Sequence, residues 1–264
     1  MLPPVLSRVE FDVARHCNLR CKGCTHYSNL IDEPIFGDIN AFSQNLARLG
    51  ELFDDVLLIN LLGGEPLLNK NIADFVRESR SRFPNASVQV FTNGLLIPTL
   101  DEQTLAVFRR YEVVVNVTNY PPTDKIKDRI EQILSGHGIA YTFNRTVNSF
   151  LYIAGETERD AELNFRSCTQ RVCNHILNDG RFSACGQPLY YDELKHKLEA
   201  KREVSDKDWI DIRKERDGYE ILKKLHSPTP YCRYCNNAGK VYYEWEAPYK
   251  KELREDDPSL IRLK

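Results

Sequence analysis

The sequence lacks the segments that membrane insertion or secretion requires. We find no run of about 18 apolar residues among its 264 positions, so no membrane-spanning helix is expected. The N-terminus lacks a basic region followed by an apolar core, so no signal peptide is predicted. The formal net charge is only −2, which offers no bulk attraction to nucleic acid or to an anionic membrane. We therefore expect a cytoplasmic protein without nucleic-acid or membrane partners.

Cysteine is absent from residues 25–167, although the chain contains eight cysteines. They fall into groups at positions 17, 21 and 24, at 168, 173 and 185, and at 232 and 235. In a reducing cytoplasm, thiols favour metal or cluster ligation over disulfides. The grouping therefore predicts two separate metal sites rather than a disulfide framework. With 42% hydrophobic and 28% charged residues, the composition is typical of a globular protein.

Short apolar strands alternate with helical patterns through the first half of the chain. Strands are predicted over residues 8–13, 56–62, 87–91, 112–117 and 139–144, with helices over 39–50, 70–82, 102–110 and 123–134. Such alternation implies βαβ units and a parallel sheet. We therefore predict an α/β fold, a partial (β/α) barrel over residues 1–150. In such folds the site lies at the C-terminal ends of the strands, where the chemically suggestive loops of this sequence fall.

The first of these loops carries Cys17, Cys21 and Cys24 in the spacing C-x3-C-x2-C. Three thiolates this close could hold three corners of a [4Fe–4S] cluster, for which thiolate is the usual protein ligand. One iron would then lack a protein ligand and could bind a substrate or cofactor. The alternative is a zinc knuckle, although zinc sites more often pair C-x2-C with a second, distant pair.

The spacing resembles the signature of the radical S-adenosylmethionine (SAM) enzymes, and residues 63–66, Gly-Gly-Glu-Pro, resemble their GGE motif. The resemblance implies that the open iron binds SAM. It also implies that Glu65, with the backbone of Gly63 and Gly64, binds the methionine amino group of SAM. An amine needs acceptors, and glycine lets backbone carbonyls come close. An ordinary strand-ending turn is the alternative interpretation of the same residues.

Two further strand ends carry polar residues. Thr92 and Asn93, with the glycine after them, resemble the family's third-strand segment near the SAM carboxylate and ribose. Asn116 interrupts an apolar strand and is a candidate ribose contact, or alternatively a satisfied buried amide. At position 23 the sequence departs from the family, which usually has an aromatic residue just before the third cysteine. Gly23 stands there, so His26 or Tyr27 is a substitute candidate for stacking on adenine.

The second cysteine group resembles the opening of the SPASM and twitch auxiliary domains of radical SAM enzymes. Eleven residues separate Cys168 from Gly180 and four separate Gly180 from Cys185, with a hairpin predicted at residues 178–180. A full SPASM domain needs about seven cysteines by the family pattern, and five are available. We therefore expect a twitch domain over residues 151–264. Its second [4Fe–4S] cluster would be held by Cys168, Cys185, Cys232 and Cys235.

Other interpretations of this region remain open. Zinc in a ribbon with four cysteine ligands is an alternative for the same residues. Cys173 is left over: it is a buried inert thiol, a replacement for Cys168 as ligand, or a hydrogen-atom donor in an epimerase. Helices are predicted near residues 156–164 and over 189–202 and 206–226. The charge run over 195–202 is expected on a solvated helix face.

The resemblance implies the reaction. A reduced cluster passes one electron to SAM, and the resulting 5'-deoxyadenosyl radical removes a hydrogen atom from a small-molecule substrate. The short length and single auxiliary cluster resemble the aminocyclitol dehydrogenases, so we expect a sugar or cyclitol alcohol to be oxidised by two electrons. Arg145 and Gln187 are candidate substrate contacts, and an external one-electron reductant such as flavodoxin or ferredoxin is implied. The alternatives are a peptide-modifying maturase, an epimerase using Cys173, or a non-enzyme: an iron-sulfur electron carrier or a zinc-binding module.

Overall fold

The computed structural model describes residues 2–151, 154–155, 157–198, 201–237, 239 and 241–247. The chain folds as two compact units. The first unit comprises Met1–Arg15 and Pro34–Asn148, and the second comprises His16–Glu33 and the chain from Ser149 onward. The domain division expected after residue 150 stays a prediction. The cysteine loop at residues 17–24 is thus part of the second unit, although it follows the first long strand of the chain.

The first unit is built on a parallel sheet. Its strands are β1 (Val5–Leu6), β2 (Val9–Ala14), β3 (Asp55–Val56), β4 (Leu58–Gly63), β5 (Ser87–Thr92), β6 (Val114–Val117) and β7 (Ala140–Phe143). Its helices are α1 (Ile39–Leu52), α2 (Ile72–Arg82), α3 (Glu102–Arg110), α4 (Pro121–Asp124) and α5 (Lys127–Gly136). Strands β2, β4, β5, β6 and β7 are neighbours in that order, all parallel. This confirms the predicted α/β fold with a parallel sheet.

One face of this sheet is apolar and packs on the helices. Alternate residues of the strands are fully or nearly fully buried: Val9, Phe11, Ile59, Leu61, Val88, Val90 and Val115. The Phe11 ring lies 4.6 Å, edge on, from Phe42 of α1, which contacts Phe75 of α2 at 5.0 Å. Helix α1 begins where expected, because the Asp38 carboxylate accepts the backbone N–H groups of Asn40 and Ala41. The alternation of side chains along each strand thus determines which face of the sheet packs against the helices.

Two predicted elements of the first unit are interrupted. The strand expected over residues 56–62 breaks at Leu57, whose N–H bonds the Leu6 carbonyl and whose side chain is exposed. Before this break β3 pairs with the N-terminal β1, and after it β4 joins the main sheet. The helix expected over residues 123–134 is divided into α4 and α5. The short pairing of β3 with β1 is a tertiary contact, and an apolar run in the sequence does not predict it.

Among the described residues, the second unit has fewer helices and strands than the first. Its strands are β8 (Ser149–Leu151), β9 (His175–Ile176), β10 (Arg181–Ser183), β11 (Ile210–Asp211) and β12 (Tyr242–Glu244), and its helices are α6 (Ala161–Ser167), α7 (Gln187–Leu194) and α8 (Gly218–Leu225). Antiparallel pairing of β9 with β10 confirms the hairpin predicted at residues 178–180, where Gly180 has φ +87°. Strand β10 also pairs with β11, and β8 pairs with β12.

The long helix expected over residues 206–226 was wrong. A 3-10 turn at Asp206–Asp208 and strand β11 precede the only α-helix of that stretch, α8. The turn is held by a capping box between Ser205 and Asp208, and the other carboxylate oxygen of Asp208 accepts the Tyr231 N–H at 2.6 Å. These hydrogen bonds compete with helix formation. Within the described residues no helix is long and apolar enough to cross a membrane.

The helix expected over residues 189–202 was also too long. Helix α7 ends at Leu194 and is followed by a 3-10 turn at Lys195–Lys197, while residues 199–200 lie outside the described part of the chain. The charge run over residues 195–202 was expected on a solvated helix face. This prediction was wrong for its last residue, because Arg202 is only 6% exposed. The physical reason is a set of buried acceptors, described below, that its guanidinium satisfies.

Candidate functional site

Two of the three cysteines of the first loop, Cys17 and Cys21, have hydrogen-bond donors directed at their sulfur atoms. The Cys17 Sγ accepts the Leu19 N–H at 3.5 Å, and the Cys21 Sγ accepts the indole N–H of Trp245 at 3.2 Å. Burial raises the pKa of the Cys21 thiol, and the nearby Cys24 and Cys17 raise it further, whereas the Trp245 hydrogen bond lowers it. Clustered sulfurs that accept N–H donors are the environment of a thiolate-held iron-sulfur cluster, so these residues fit that group.

A single zinc ion is the alternative group for these cysteines. Among the described residues, no three His, Cys, Asp or Glu side chains converge closely enough to hold one ion. Zinc requires its sulfur ligands at about 2.3 Å, which brings all of them around one point. Both zinc and a cluster with an iron at each corner take thiolate ligands, and the choice of the cluster for these cysteines stays a prediction.

The cysteine loop is closed by the arginine inside it. The Arg20 guanidinium donates to the Asn29 carbonyl at 2.8 Å and to the Ile31 carbonyl at 3.2 Å, and it forms an ion pair with Asp32 at 3.3 Å. Arg20 itself has a left-handed backbone with φ 48°, a conformation that costs energy for a residue other than glycine. The fork of Arg20 thus ties the middle of the loop to the segment that follows it.

A C-terminal segment covers the cysteine loop. We call residues 242–246 the strap. Within it, Tyr243 donates its hydroxyl to the Gly23 carbonyl at 2.7 Å, and Glu246 accepts the Lys22 N–H at 3.0 Å. A Cβ added to Gly23 would lie 1.8 Å from the Tyr243 oxygen, and Gly23 has φ +63°. Position 23 therefore requires glycine, and the aromatic ring beside it comes from the strap.

Sequence reasoning missed the strap, and no local pattern could have found it. Tyr243 contacts a residue 220 positions earlier in the chain. The substitutes expected for adenine stacking lie elsewhere: Tyr27 is only 3% exposed within the second unit, and the His26 ring lies 5.2 Å from the Tyr190 ring. The burial of Tyr27 does not fit its predicted stacking on adenine, because a ring enclosed by protein offers no face to a ligand.

In the first unit, three predicted residues form one hydrogen-bonded group around a buried carboxylate. Glu65 is 0% exposed. Its Oε1 accepts the Thr92 hydroxyl at 2.7 Å and the Leu67 N–H at 3.0 Å, and its Oε2 accepts the Asn93 N–H at 2.8 Å. Burial raises the pKa of Glu65 to about 7, although these three hydrogen bonds lower it. The carboxylate is therefore held in one orientation and is poised to change charge near neutrality.

Of the two glycines before Glu65, Gly63 is required by the neighbouring strand. A Cβ on Gly63 would lie 2.0 Å from the Ala14 carbonyl oxygen, and the φ of Gly63 is +132°. The Gly64 N–H donates to the same carbonyl at 2.7 Å. These contacts bring the turn at the end of β4 against the end of β2. They are a structural reason for glycine at position 63, and a role of the Gly63 and Gly64 backbone toward SAM stays a prediction.

A row of polar side chains crosses the sheet face opposite the helices. Its members are Glu10 of β2, Asn60 of β4, Gln89 of β5, Asn116 of β6 and Thr142 of β7. The Asn60 amide donates to Glu10 at 3.1 Å, and the Asn116 amide donates to Gln89 at 2.9 Å. Asn116 also accepts the Thr142 hydroxyl at 2.8 Å. The row is buried at β2 and β4 and exposed at β7.

Asn116, the candidate ribose contact, is a member of this row, and both ends of its amide are bonded within the sheet. The alternative of a satisfied amide therefore accounts for its contacts, and the ribose role stays a prediction. Arg145, the candidate substrate contact after β7, is exposed. Its assignment to substrate is likewise untested.

The four cysteines assigned to a second site line a single cavity of the second unit. The cavity contains about 350 Å³ of empty space, part of it open to solvent, and its lining includes Cys168, Cys185, Cys232 and Cys235. Burial raises the pKa of Cys185, and the three other thiols raise it further. The Asn164 amide, 2% exposed, donates to the carbonyls of Cys232 and Cys235 at 3.1 and 2.7 Å. The structure thus collects four thiols whose mutual repulsion as anions calls for a cationic group.

The leftover cysteine lies outside this lining. Cys173 is partly exposed, and its N–H donates to the Gln170 carbonyl at 3.1 Å. Of the two candidates for the fourth ligand, it is Cys168 that lines the cavity. Partial exposure also departs from the buried inert thiol expected for Cys173.

A buried arginine joins segments of the second unit that contain both cysteine groups. The Arg202 guanidinium donates to the hydroxyls of Tyr27 and Tyr231 at 2.9 and 3.0 Å. It also donates to the carbonyls of Gly155 and Ala154 at 2.9 and 3.1 Å. Tyr27 lies three residues after Cys24 and Tyr231 directly precedes Cys232. Sequence reasoning missed this role because Arg202 belongs to a run of charged residues, and such runs are expected on the surface.

Gln187, the second candidate substrate contact, is part of the same network. It is 4% exposed, its amide donates to the Thr25 carbonyl at 2.5 Å, and its Oε1 accepts the Tyr27 hydroxyl at 3.3 Å. These contacts give Gln187 a structural role, and its contact with substrate stays a prediction. They tie the start of α7, just after Cys185, to the segment that follows the first cysteine loop.

Comparisons with known proteins agree with this geometry. A family model described as the Radical SAM superfamily matches residues 12–165. A GTP 3',8-cyclase from Lactiplantibacillus plantarum is 27% identical over 178 residues, which cover 64% of this chain and 52% of the relative. A GTP 3',8-cyclase from Limosilactobacillus fermentum is 32% identical over 97 residues, covering 34% of this chain and 27% of the relative. The chain therefore spans about half or less of these curated relatives.

Two solved structures resemble the chain over most of its length. BtrN in complex with AdoMet and 2-DOIA has a TM-score of 0.53 at 18% identity, covering 89% of this chain and 94% of that chain. Native anSMEcpe with bound AdoMet has a TM-score of 0.54 at 13% identity, covering 90% of this chain and 83% of that chain. At these identities the likeness shows the fold alone.

Proposed function

The chain belongs to the radical SAM superfamily, and from that premise we propose that it oxidises an alcohol of a polyhydroxylated small molecule such as a sugar or cyclitol. Cys17, Cys21 and Cys24 hold the [4Fe–4S] cluster that binds SAM. Glu65 accepts the methionine amino group, since it is a buried carboxylate already oriented by three donors. Thr92 and Asn93 act through Glu65, to which both are bonded.

The cavity of the second unit is assigned a second [4Fe–4S] cluster. Four cysteines line it, so every corner of such a cluster would have a protein ligand and none would be open to substrate. A closed cluster of this kind exchanges electrons without binding the reactant. Zinc is the alternative, because four cysteine ligands also suit a structural zinc site.

The single observation that supports a hydroxylated substrate is the polar row across the first unit's sheet. In a parallel sheet covered by helices, both faces are ordinarily apolar. Here one face carries amides, a carboxylate and a hydroxyl, and the Asn60 Oδ1 has no hydrogen-bond partner among the described residues. Each amide offers both donors and an acceptor, which suits the several hydroxyl groups of a polyol.

When bound, the cofactors supply a one-electron cleavage of SAM at the first cluster and an electron acceptor at the second. Conversion of an alcohol to a ketone then removes one hydrogen atom, one further electron and one proton from the substrate. The chain's own residues orient the substrate through the polar row and orient SAM through Glu65. An external one-electron reductant, such as flavodoxin or ferredoxin, is required to begin each turnover.

The iron content of anaerobically reconstituted protein tests the two cluster assignments. About eight irons are expected, falling to about four when Cys17, Cys21 and Cys24 are all changed to alanine. Changing Cys185 and Cys232 to alanine should remove the other four. The matched control is Cys173→Ala, which should retain all of the iron because Cys173 is outside the cavity lining. Zinc without iron in the wild-type protein would rule out the radical mechanism.

The substrate class is tested by turnover with reductant and SAM against aminocyclitols, sugars, peptides and GTP. We expect one ketone formed for each 5'-deoxyadenosine with a cyclitol or sugar. Gln89→Ala should raise the KM for that substrate about tenfold or more by removing one or two hydrogen bonds. Gln132→Ala is the control, because Gln132 is an exposed residue of α5. Equal KM values for the two variants would contradict binding by the polar row.

Cyclisation of a nucleotide is the second candidate, favoured by the two relatives named as GTP cyclases. Consumption of GTP without any alcohol oxidation would select it. Modification of a peptide or inversion of a sugar centre would select the maturase or the epimerase. Turnover that stops on Cys173→Ala while 5'-deoxyadenosine still forms would mark the epimerase. An electron carrier or a zinc module would show no SAM binding by calorimetry.

A further inference from the structure

The strap places a hydrogen-bond donor on a proposed cluster ligand. The indole Nε1 of Trp245 lies 3.2 Å from the Cys21 Sγ, which is within hydrogen-bond range for sulfur. The indole N–H is a donor only, so the sulfur is the acceptor. Cys21 is also the most buried cysteine of its loop, at 7% exposed. In such surroundings a hydrogen bond is electrostatically stronger than in water.

The position of this donor is set by contacts on both sides of it. Strand β12 pairs antiparallel with β8, with Tyr243 opposite Phe150. Two residues before Trp245, the Tyr243 hydroxyl donates to the Gly23 carbonyl, and one residue after it, the Glu246 carbonyl accepts the Lys22 N–H. The Lys22 ammonium adds an ion pair with Glu246 at 3.8 Å. The position of the indole is thus set by the contacts of the neighbouring strap residues with β8 and with the cysteine loop, rather than by its own contact with the Cys21 sulfur.

We propose that Trp245 is a positioning residue for the first cluster, whose N–H bond to Cys21 raises the reduction potential of that cluster. The inference rests on the proposed function, since it takes Cys21 as a cluster ligand. Reduction adds one electron and makes the cluster and its thiolates more negative. A donor to a ligand sulfur stabilises the more negative state, and hydrogen bonds to sulfur are among the factors that set cluster potentials.

The test is a redox titration of reconstituted Trp245→Phe, followed by electron paramagnetic resonance. Phenylalanine keeps an aromatic ring but deletes the N–H donor. The signal that changes on addition of SAM reports the first cluster, because only an open iron can bind SAM. We expect its midpoint potential to become more negative than in the wild type. Trp209→Phe is the matched control, since Trp209 is the other tryptophan and packs beside Arg181; its potential should be unchanged.

A second variant covers the case in which Trp245→Phe does not retain the first cluster. In Trp209→Phe protein, Trp245 is the only tryptophan, so 5-fluorotryptophan replaces that indole alone. Fluorination makes the N–H a stronger donor, and the potential should become more positive. An unchanged potential in either loaded variant overturns the inference while the proposed function stands. A wild-type protein without any SAM-responsive signal overturns the proposed function itself, and the inference with it.

Discussion

Glu65→Gln is expected to weaken SAM binding about 30-fold or more. Removing one charge from a buried, hydrogen-bonded pair costs about 2–5 kcal/mol, and 2 kcal/mol corresponds to about 30-fold. Glutamine has nearly the same shape, but one end of its amide is a donor. That end would face either the Asn93 N–H or the donors of Thr92 and Leu67, which already point at the carboxylate. Calorimetric titration of the protein with SAM measures the change.

The same substitution should remove a pH dependence of stability. Burial raises the pKa of Glu65 to about 7 from 4.5, so the folded protein binds this proton more tightly than the unfolded chain. The stability that follows is fully present below pH 4.5 and is lost as the pH rises through 7, by about 3 kcal/mol. The difference in unfolding free energy between wild type and Glu65→Gln should therefore change across that range.

Binding of SAM should also release a proton. At pH 6.5 most Glu65 carboxyls are protonated when their pKa is about 7. A cationic amino group beside the carboxylate favours its ionised form, and the amino group itself is already charged at this pH. Calorimetry in two buffers of different ionisation enthalpy measures the release, which should be most of one proton per SAM.

Glu51→Gln is the matched control for both measurements, because Glu51 is exposed on α1 of the same unit. It should leave SAM affinity, proton release and the pH dependence of unfolding unchanged. Wild-type affinity in Glu65→Gln would contradict the assignment of Glu65 to the amino group. Absence of proton release with normal binding would contradict a change of charge at Glu65 on SAM binding.

Arg202→Met is expected to destabilise the second unit by about 3 kcal/mol or more. The substitution leaves the hydroxyls of Tyr27 and Tyr231 and the carbonyls of Ala154 and Gly155 without the donor that satisfies them. Hydrogen bonds to a charged group contribute about 1.5–3 kcal/mol each, and buried acceptors left unpaired add a further cost. Arg202→Lys should recover only part of the loss, because an ammonium lacks the planar fork.

Urea unfolding followed by tryptophan fluorescence measures this effect in the second unit, since both tryptophans, Trp209 and Trp245, belong to it. Arg216→Met is the control, because Arg216 is exposed after β11 and its loss should change stability by less than about 0.5 kcal/mol. Iron content should fall in Arg202→Met, since the segments after Cys24 and before Cys232 lose a shared anchor. Equal stability of the two variants would contradict this role.

Local patterns in the sequence predicted much of the first unit. The helices predicted over residues 39–50 and 102–110 begin where expected, directly after Asp38 and Asp101, because short-range hydrogen bonds to these carboxylates decide where each helix begins. The alternation of short apolar strands with helical patterns predicted the parallel sheet, because a helix that connects two strands allows them to run parallel. Residues 178–180 predicted the second unit's hairpin, because their turn chemistry is local as well. The interruption of the strand at Leu57 was not predictable, since it depends on the pairing of β3 with β1, about 50 residues earlier in the chain.

The candidate site likewise has features that the sequence predicts and features that it does not. The spacing of Cys17, Cys21 and Cys24 and the Gly-Gly-Glu turn are visible in the sequence, because both lie within a few residues of one another. The burial of Arg202 and the approach of Trp245 to Cys21 are not, since the latter joins residues 224 positions apart. Such contacts arise only when packing brings distant segments together, and the energy that selects them is that of satisfying polar groups removed from water.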